Sequence, residues 1–461
     1  MKKFTLLFIG FFAFSLAFAE TPTVEVEELW HHGQAGDGEY DPDWDEFVYA
    51  SAPSWMGGTT ERAMTHMDGK IYIASRKDGI SIVVLDAETG NQIEAETITF
   101  SGEDVSGGTF ALNGISSTDC GMLLISNLAT NTQSIDEDTE EPSGHFKVYS
   151  VDPATHDVET LIEWENVDRD EEFPFNRLGD HITFYGDLND GYMLAGVSSS
   201  PFVTRWNITD NQFEDDPVVI ELQEAIPASE GPVNLSFAAM AYPINDNAFA
   251  INGHGIHTLI ADMEGNLLTT FSDDEEAVRT TSEGAGGVVY FEINNREFIA
   301  AAATNWTHDP KMAFQLFEMI DGSLENAEYY GTFPEIGTGD DSNASHGYPM
   351  ALDILPDNSA VVYYMAPNNG IAAYKVTADD LETFISTPEY ESNASIYPNP
   401  ATDVVNFSVE MSFVEIFNVT GQRVALERNT TSVNVADLTG TFIIRGEDIN
   451  GLQFSEVVII K

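Results

Sequence analysis

Apolar and polar residues alternate along most of the chain in short runs that are typical of β-strands. Between about Val24 and Val376 the runs have a period of two residues, are separated by Gly, Asn and Asp, and show almost no helical spacing. The side chains of a half-buried strand point alternately to the core and to solvent, which produces this period. The pattern therefore predicts an all-β protein.

The runs group into six successive units, which indicates a repeat. Five units have four strands each, and they span 61–100, 110–164, 180–222, 236–271 and 287–333. The sixth unit, 349–376, has three strands, and the run from Val24 to Trp30 can supply the missing one. A ring closed in this way is a six-bladed β-propeller, whose sheet edges are short and protected. A seven-bladed propeller, with one more blade between Gly33 and Met56, is the alternative.

The N-terminus has a different pattern. Lys2 and Lys3 precede an apolar run that leads to Ala17-Phe18-Ala19, the pattern of a secretory signal peptide cleaved after Ala19. The run is shorter than the roughly 20 apolar residues that span a bilayer, and no second run follows, so an integral membrane protein is not expected. The predicted domains are a signal peptide at 1–19, a β-propeller at 20–380, a linker at 381–392 and a C-terminal domain at 393–461.

The C-terminal domain contains Tyr397-Pro398-Asn399-Pro400, a turn at Thr420-Gly421-Gln422 and an apolar end at Val457 to Lys461. This combination resembles the type A sorting domain of the type IX secretion system of Bacteroidetes, and its strand pattern predicts a small antiparallel β-sandwich. The resemblance implies export through the periplasm by the type IX machinery and removal of the tail. The protein would then be secreted or attached to the outer-membrane surface. The sorting-signal residues are Tyr397, Pro398, Asn399, Pro400 and Gly421.

Charge and cysteine content limit the classes of partner. The formal charge of −59 repels nucleic acid and anionic lipid, so neither is a predicted partner. No cofactor is predicted, and a structural calcium ion is the open alternative; Asp41, Asp43 and Asp45 alternate like a calcium loop, but Glu46 replaces its Gly. The single cysteine, Cys120, has no partner for an internal disulfide and is expected to be buried.

The loops at one end of a propeller channel usually carry its ligand site. In this sequence those loops are rich in polar residues, and the candidate ligand-binding residues are Arg62, Arg76, Thr109, Asn176, Arg177, Glu283, Asn305, Trp306 and His346. Because Arg is scarce here, three converging Arg side chains would form a positive spot suited to a carboxylate, such as that of a uronic sugar. The alternative is that each Arg pairs with a neighbouring carboxylate.

Two functions remain open. The large domain resembles secreted bacterial propellers of unknown function, through Trp55-Met56-Gly57 and Gly107 to Asn113, and the favoured function is binding of a glycan, polymer or protein at the channel face. Trp55 is a candidate for stacking on a sugar ring. The alternative is a carbohydrate-active hydrolase, lactonase or lyase with acid–base chemistry by Glu61, Glu283 or His346. No nucleophile-elbow motif is visible, which favours binding.

Overall fold

The chain is described here as a computed structural model. The described residues are 23–33, 39–41, 46–48, 51–133, 144–169, 171–223, 235, 238–253, 256–271, 284–304, 312–334, 347–379, 394–418, 423–436, 438–449 and 453–461. They fall into two compact units, Thr23–Asp379 and one that contains residues 394–461. Within these ranges no helix is long and apolar enough to cross a membrane.

The larger unit is built from antiparallel strands. Before the first sheet come β1 (Val24–Gly33) and a hairpin of β2 (Glu39–Asp41) and β3 (Glu46–Val48). Sheet 1 contains β4 (Ala63–Met67), β5 (Lys70–Ser75), β6 (Ser81–Asp86) and β7 (Ile98–Thr99), with a 3-10 turn at Glu94–Glu96. Sheet 2 contains β8 (Phe110–Ser117), β9 (Leu123–Leu128), β10 (Phe146–Val151) and β11 (Val158–Trp164).

Four more sheets follow in the order of the chain. Sheet 3 contains β12 (Thr183–Gly186), β13 (Asp190–Gly196) and β14 (Phe202–Thr209), which pairs with both β15 (Gln212–Phe213) and β16 (Val218–Glu221). Sheet 4 contains β17 (Met240–Asn245), β18 (Ala248–Asn252), β19 (Leu259–Asp262) and β20 (Leu267–Thr270). Sheet 5 contains β21 (Gly284–Ile293), β22 (Arg296–Thr304), β23 (Met312–Ile320) and β24 (Ser323–Phe333). Sheet 6 contains β25 (Met350–Ile354), β26 (Ala360–Ala366) and β27 (Gly370–Ala378), with β1 as its fourth strand. Each predicted unit corresponds to one sheet, and the predicted all-β class is confirmed.

Strand β1 completes sheet 6, as the sequence predicted. It pairs antiparallel with β27 from Val24 opposite Ala378 to Gly33 opposite Gly370. Just before β1, the backbone N–H and the hydroxyl of Thr23 donate to Asp379 at 2.8 and 2.7 Å. The first residues of the unit are therefore fastened to its last ones.

A buried ion pair in sheet 5 reinforces this junction. The Arg296 guanidinium binds both oxygens of Glu318 at 2.7 and 2.6 Å and also donates to the carbonyl of Thr23 at 3.0 Å. The two side chains are 3% and 6% exposed. Because Arg296 donates to both Glu318 and Thr23, the junction is held from the neighbouring sheet as well as from within sheet 6.

Successive sheets share apolar cores. Sheets 1 and 2, 2 and 3, 3 and 4, 4 and 5, and 5 and 6 each bury one common cluster. A further cluster joins sheet 6 to sheet 1, with Ala351 and Tyr363 packed beside Met64 and Ile73. Each of sheets 1 to 6 therefore buries apolar side chains against two others of the six.

The first strands of the sheets lie side by side, in the order β4, β8, β12, β17, β21, β25 and again β4. Hydroxyl groups link the first four: the Thr65 and Ser117 hydroxyls are 2.9 Å apart, Ser116 accepts from the Phe184 N–H at 3.0 Å, and Thr183 donates to the Ala241 carbonyl at 2.5 Å. A first strand has a free backbone edge, so these side chains satisfy polar groups that the sheets leave unpaired.

Two expectations about single side chains are wrong. Cys120 is exposed, because it lies in the tight turn between β8 and β9 rather than in a strand. Trp55 is only 9% exposed and belongs to the core that joins sheets 6 and 1, so it does not offer a face for stacking.

The C-terminal unit contains β28 (Ile396–Tyr397), β29 (Val404–Asn418), β30 (Arg423–Asn434), β31 (Gly440–Asp448) and β32 (Gln453–Ile460). The described strands are hydrogen-bonded into one antiparallel sheet, in which the long β29 pairs with β30 on one side and with β28 and then β31 on the other. Ala401, just after β28, also pairs with Ile460 of β32, so the sheet curves until these two ends meet. The division into two packed sheets stays a prediction. The predicted turn residue Gly421 lies outside the described residues.

The Tyr-Pro-Asn-Pro motif holds the last strand. The Asn399 side chain donates to the Val457 carbonyl at 2.8 Å and accepts from the Ile459 N–H at 3.1 Å. Just beyond, Ala401 N–H donates to the Ile459 carbonyl. Proline has no N–H to donate, so between Pro398 and Pro400 the Asn side chain supplies the strand-like hydrogen bonds that the backbone cannot.

We expect Arg296→Met to lower the free energy of unfolding by roughly 3–5 kcal/mol, because Glu318 would be left buried without its partner. Urea unfolding of the full chain measures the change. Lys70→Met is the control: its pair with Glu96 is 34% and 45% exposed, and such pairs contribute at most about 1 kcal/mol. Equal losses in the two variants would contradict the special role of the junction.

We expect Asn399→Ala to loosen β32, because two hydrogen bonds of about 1 kcal/mol each are removed. Hydrogen exchange followed by mass spectrometry should show faster exchange over 453–461. The control Thr402→Ala removes an exposed hydroxyl whose only contact is to its neighbour Asp403, and exchange should be unchanged. Unaltered exchange in Asn399→Ala would show that the motif does not hold the strand.

Candidate functional site

Two of the predicted Arg side chains meet at one aromatic ring. Arg62 directly precedes β4 and Arg76 directly follows β5, so hairpin geometry places them at the same end of sheet 1. Their guanidinium carbons lie 5.1 and 4.1 Å from the centre of the Phe110 ring, at the start of β8. Both distances are within the range of attraction between a cation and an aromatic ring.

Arg76 is held by neutral acceptors. It donates to the Leu112 carbonyl at 2.7 Å, to Asn113 Oδ1 at 3.1 Å and to the Thr59 carbonyl at 3.1 Å. Burial lowers the pKa of Arg76 to about 10; the charge of Arg62 adds to this effect and that of Glu61 opposes it. The side chain is therefore still a cation at neutral pH, and its position is fixed.

Arg177 is paired, as the alternative prediction supposed. Its Nε and Nη2 atoms bind the two oxygens of Asp180 at 2.6 and 2.5 Å, and Ser198 also donates to Asp180 at 2.6 Å. Burial by itself would raise the pKa of Asp180, but the bonds from Arg177 and Ser198 outweigh it, and the pKa is lowered. The pair is therefore ionised and neutral overall.

Arg62 differs from both. Among the described residues, no group forms a hydrogen bond or ion pair with its guanidinium, and its Nε is buried without an acceptor. Burial lowers the pKa of Arg62, the charge of Asp180 opposes this, and the charge of Arg177 adds to it. Among the residues that the structure describes, three guanidinium groups lie here with two carboxylates, those of Asp180 and Glu61, so one positive charge has no described counter-charge.

Glu61 is a supporting residue rather than an accessible acid or base. Its side chain is 0% exposed and accepts hydrogen bonds from the Gly57 N–H, the Thr60 hydroxyl and the Ser75 hydroxyl at 2.6–2.9 Å. These bonds hold the loop 57–61 against the end of β5. The predicted acid–base role would require this carboxylate to become exposed.

His181 is buried next to the cluster. It is 3% exposed, and burial lowers the pKa of His181 to about 4, so the ring is neutral. A side chain at Gly286 in β21 would come within 2.2 Å of the Ala238 carbonyl oxygen and within 2.6 Å of His181 Nε2, which explains the glycine. The imidazole of sheet 3 thus reaches the first strand of sheet 5 and closes the space between them.

The other predicted residues lie around this cluster or outside the described ranges. The exposed Thr109 pairs with the Thr130 hydroxyl at 2.5 Å, and Asn176 accepts from the Gln133 N–H at 2.9 Å. Both support loops. The remaining predicted ligand-binding residues, Glu283, Asn305, Trp306 and His346, lie outside the described residues. Within the described ranges no group of three His, Cys, Asp or Glu side chains could hold a metal ion.

Sequence reasoning missed four contributors, Phe110, Asn113, Asp180 and His181. Asp180 and His181 were assigned to the first strand of the third unit, and Phe110 to that of the second. For Asp180 and His181, the signal that could have found them is two polar residues before an otherwise apolar strand, three and four positions after Arg177.

We expect Arg62→Met to raise the free energy of unfolding by about 1 kcal/mol, because an unpaired buried cation is replaced by an apolar side chain. Arg177→Met should lower it by roughly 2 kcal/mol, since Asp180 loses its partner in a partly exposed site. Urea unfolding of both variants checks the prediction. Destabilisation of similar size in both would mean that Arg62 has a structural partner.

Comparison with known structures and families supports the fold and the export of this chain and assigns no activity to it. A DUF4623 family protein from Bacteroides eggerthii is similar in fold, with a TM-score of 0.52 and 11% identity over 72% of this chain and 78% of that one. The structure of YjhT matches at a TM-score of 0.38 and 11% identity, over 71% of this chain and 99% of that one, too low a score to argue from. No curated protein matches the chain. Residues 395–461 match the secretion system C-terminal sorting domain, which supports secretion or surface attachment through the type IX system of Bacteroidetes.

Proposed function

We propose that the larger unit is a closed six-bladed β-propeller that is exported by the type IX system and binds a carboxylate-bearing glycan around Arg62. The cyclic order of the first strands, the shared core between sheets 6 and 1, and the pairing of β1 with β27 support the closed ring. The similarity in fold to the DUF4623 protein adds support for the architecture alone.

The single observation that carries the binding proposal is the unpartnered guanidinium of Arg62. A half-buried cation without a carboxylate is unfavourable in the free protein, and a ligand carboxylate would supply the missing hydrogen bonds. In a chain of formal charge −59, a local excess of positive charge is also unusual. The arrangement therefore suits an anion that is brought in by a ligand.

The surroundings favour a carboxylate on a larger molecule. Arg76 adds a second positive charge that its own hydrogen bonds hold in place, and Asp180 is neutralised by Arg177, so it does not repel an incoming anion. The overall negative charge of the protein repels free anions at long range. A ligand that combines a carboxylate with neutral hydroxyl groups, as in a uronic sugar polymer, makes further contacts that offset this repulsion.

The enzymatic alternative, a hydrolase, lactonase or lyase, has less support. Of the three residues expected to act as acid or base, Glu61 is inaccessible and satisfied by three donors. The other two, Glu283 and His346, lie outside the described residues. Binding without turnover therefore remains the proposed function.

The test is calorimetric titration of the full chain with oligogalacturonate and with its methyl ester, which lacks the charge. We expect binding of the acid and a loss of at least about tenfold in affinity for the ester and for Arg62→Met, as a single charged hydrogen bond contributes about 1.5–3 kcal/mol. Arg169→Met is the matched control, because Arg169 already binds Asp216 at 2.8 Å on a different loop. Mass spectrometry of the same samples detects turnover.

Each outcome has a definite meaning. Equal affinity for acid and ester, or equal losses in Arg62→Met and Arg169→Met, would show that Arg62 does not receive a carboxylate. Cleavage of the oligosaccharide that is lost in Arg62→Met would replace the binding function by the enzymatic one.

A further inference from the structure

A second recess lies at the other end of the first strands. It is a cavity of about 400 Å³ lined by residues of β4, β8, β12, β17, β21 and β25, and so by all six sheets. Its lining includes Ser117, Gly186 and Ile354, the last residues of their strands, whereas Arg62 precedes the first residue of β4. Along β4, Arg62 and the lining residue His66 are roughly 13 Å apart at 3.3 Å per residue.

The cavity is separate from the Arg62 cluster. His181 directly precedes Ile182, which lines the cavity, and its ring reaches Gly286 across the space between sheets 3 and 5. The imidazole therefore stands between the cavity and the arginines. A molecule in the cavity would reach neither Arg62 nor Arg177, so this recess is not part of the site proposed above.

The two halves of the lining differ in polarity. Sheets 1 to 3 contribute Ser and Thr hydroxyl groups, and sheets 4 to 6 contribute mainly apolar side chains together with Tyr242 and Tyr290. The hydroxyl-bearing residues of the first half include Thr65, Ser116, Ser117 and Thr183, and the second half includes Met240, Ile244, Phe291, Leu352 and Ile354. Ser116 and Thr183 each make one hydrogen bond in the fold, and Thr65 and Ser117 each make two. Because a hydroxyl has one donor and two acceptor positions, each of the four can still bind a ligand.

The charge of the lining excludes anions. None of the described residues that line the cavity is Lys or Arg. Among these described lining residues, the only side chains that can carry a charge near neutral pH are those of Asp119, which is exposed, and His66, which is 9% exposed. Burial lowers the pKa of His66, which keeps the ring neutral. An anion would therefore be desolvated without compensation.

The ring of His66 lies against sheet 6. Its Nε2 is buried, has no hydrogen-bond partner among the described residues, and lies 3.6 Å from Asp353, beyond hydrogen-bond distance. The ring is stacked on Tyr363 at 5.4 Å. Because neither Asp353 nor Tyr363 lines the cavity, this nitrogen is turned towards sheet 6 rather than towards a molecule in the cavity.

We propose that this cavity binds an uncharged, hydroxylated molecule about the size of a monosaccharide. Its hydroxyl groups would lie against sheets 1 to 3 and its carbon-rich face against sheets 4 to 6. Sites for small molecules typically have volumes of about 300–1,000 Å³ and combine apolar walls with placed polar groups. This recess has such a volume, and apolar side chains and hydroxyl groups both line it.

The experiment is saturation-transfer NMR with titration on the full chain. The probes are methyl β-glucoside and methyl β-galactoside as neutral glycosides, glucosamine as a cation, glucuronate as an anion and cyclohexanol as an apolar ring. We expect the neutral glycosides to bind, and Ile354→Trp, which narrows the mouth, to weaken them at least about tenfold. Leu268→Trp is the matched control: Ile354 is 45% and Leu268 56% exposed, and Leu268 lies outside the cavity.

A second variant keeps the test independent of one substitution. Tyr185→Ala removes a ring that is 36% exposed and lines the cavity, and it should also weaken binding of the glycosides. Arg169→Met, at a residue that pairs with Asp216 outside the cavity, should leave their binding unchanged. The proposal is overturned if no neutral glycoside binds, if glucosamine, glucuronate or cyclohexanol binds better, or if Leu268→Trp lowers binding as much as Ile354→Trp.

Discussion

The pairing of β1 with β27 is the contact on which the larger unit depends. It joins residues as far apart as Thr23 and Asp379, separated by 356 positions. Without it, sheet 6 would have three strands and β27 would present a free edge of unpaired backbone groups. Arg296 of sheet 5, which is paired with the buried Glu318, donates a hydrogen bond to Thr23 at the same junction. The neighbouring sheet therefore stabilises the contact.

The side-by-side order of the first strands determines where chemistry can occur. When the first strands lie side by side, the residues that precede them meet at one end and the residues that end them meet at the other. Arg62 and Arg177 are brought together at the first end, and the ends of all six strands surround the cavity at the second. His181 is adjacent to both spaces, and the two recesses differ chemically.

The two recesses also differ in how they are stabilised. The hydroxyl links around the cavity satisfy backbone edges and so stabilise the fold whether or not a ligand is present. The Arg62 cluster retains an unpaired cation, a local cost to stability that folding alone does not explain. Local departures of this kind from good pairing are typical of functional sites.

Much of the fold followed from the sequence. The period of two residues located the strands of every sheet, and the three-stranded sixth unit indicated that Val24 to Trp30 would complete it, because an unpaired edge is unfavourable. The Tyr-Pro-Asn-Pro motif helped to identify the sorting domain. The strands of this domain are hydrogen-bonded into one sheet, because β29 is long enough to pair along both sides. Hydrophobic periodicity reports which residues face a core, and this information is local.

The sites required the tertiary structure. The positions of Arg62, Arg76 and Arg177 in the sequence predicted that they lie at the same end of the molecule. The sequence could not show that Arg177 pairs with Asp180 or that Arg76 donates to backbone carbonyls. It also could not show that Arg62 Nε has no acceptor. The cavity and the position of His181 beside it were equally invisible. Each depends on distances between side chains from different sheets, and such distances are set by how the sheets pack rather than by any pattern along the chain.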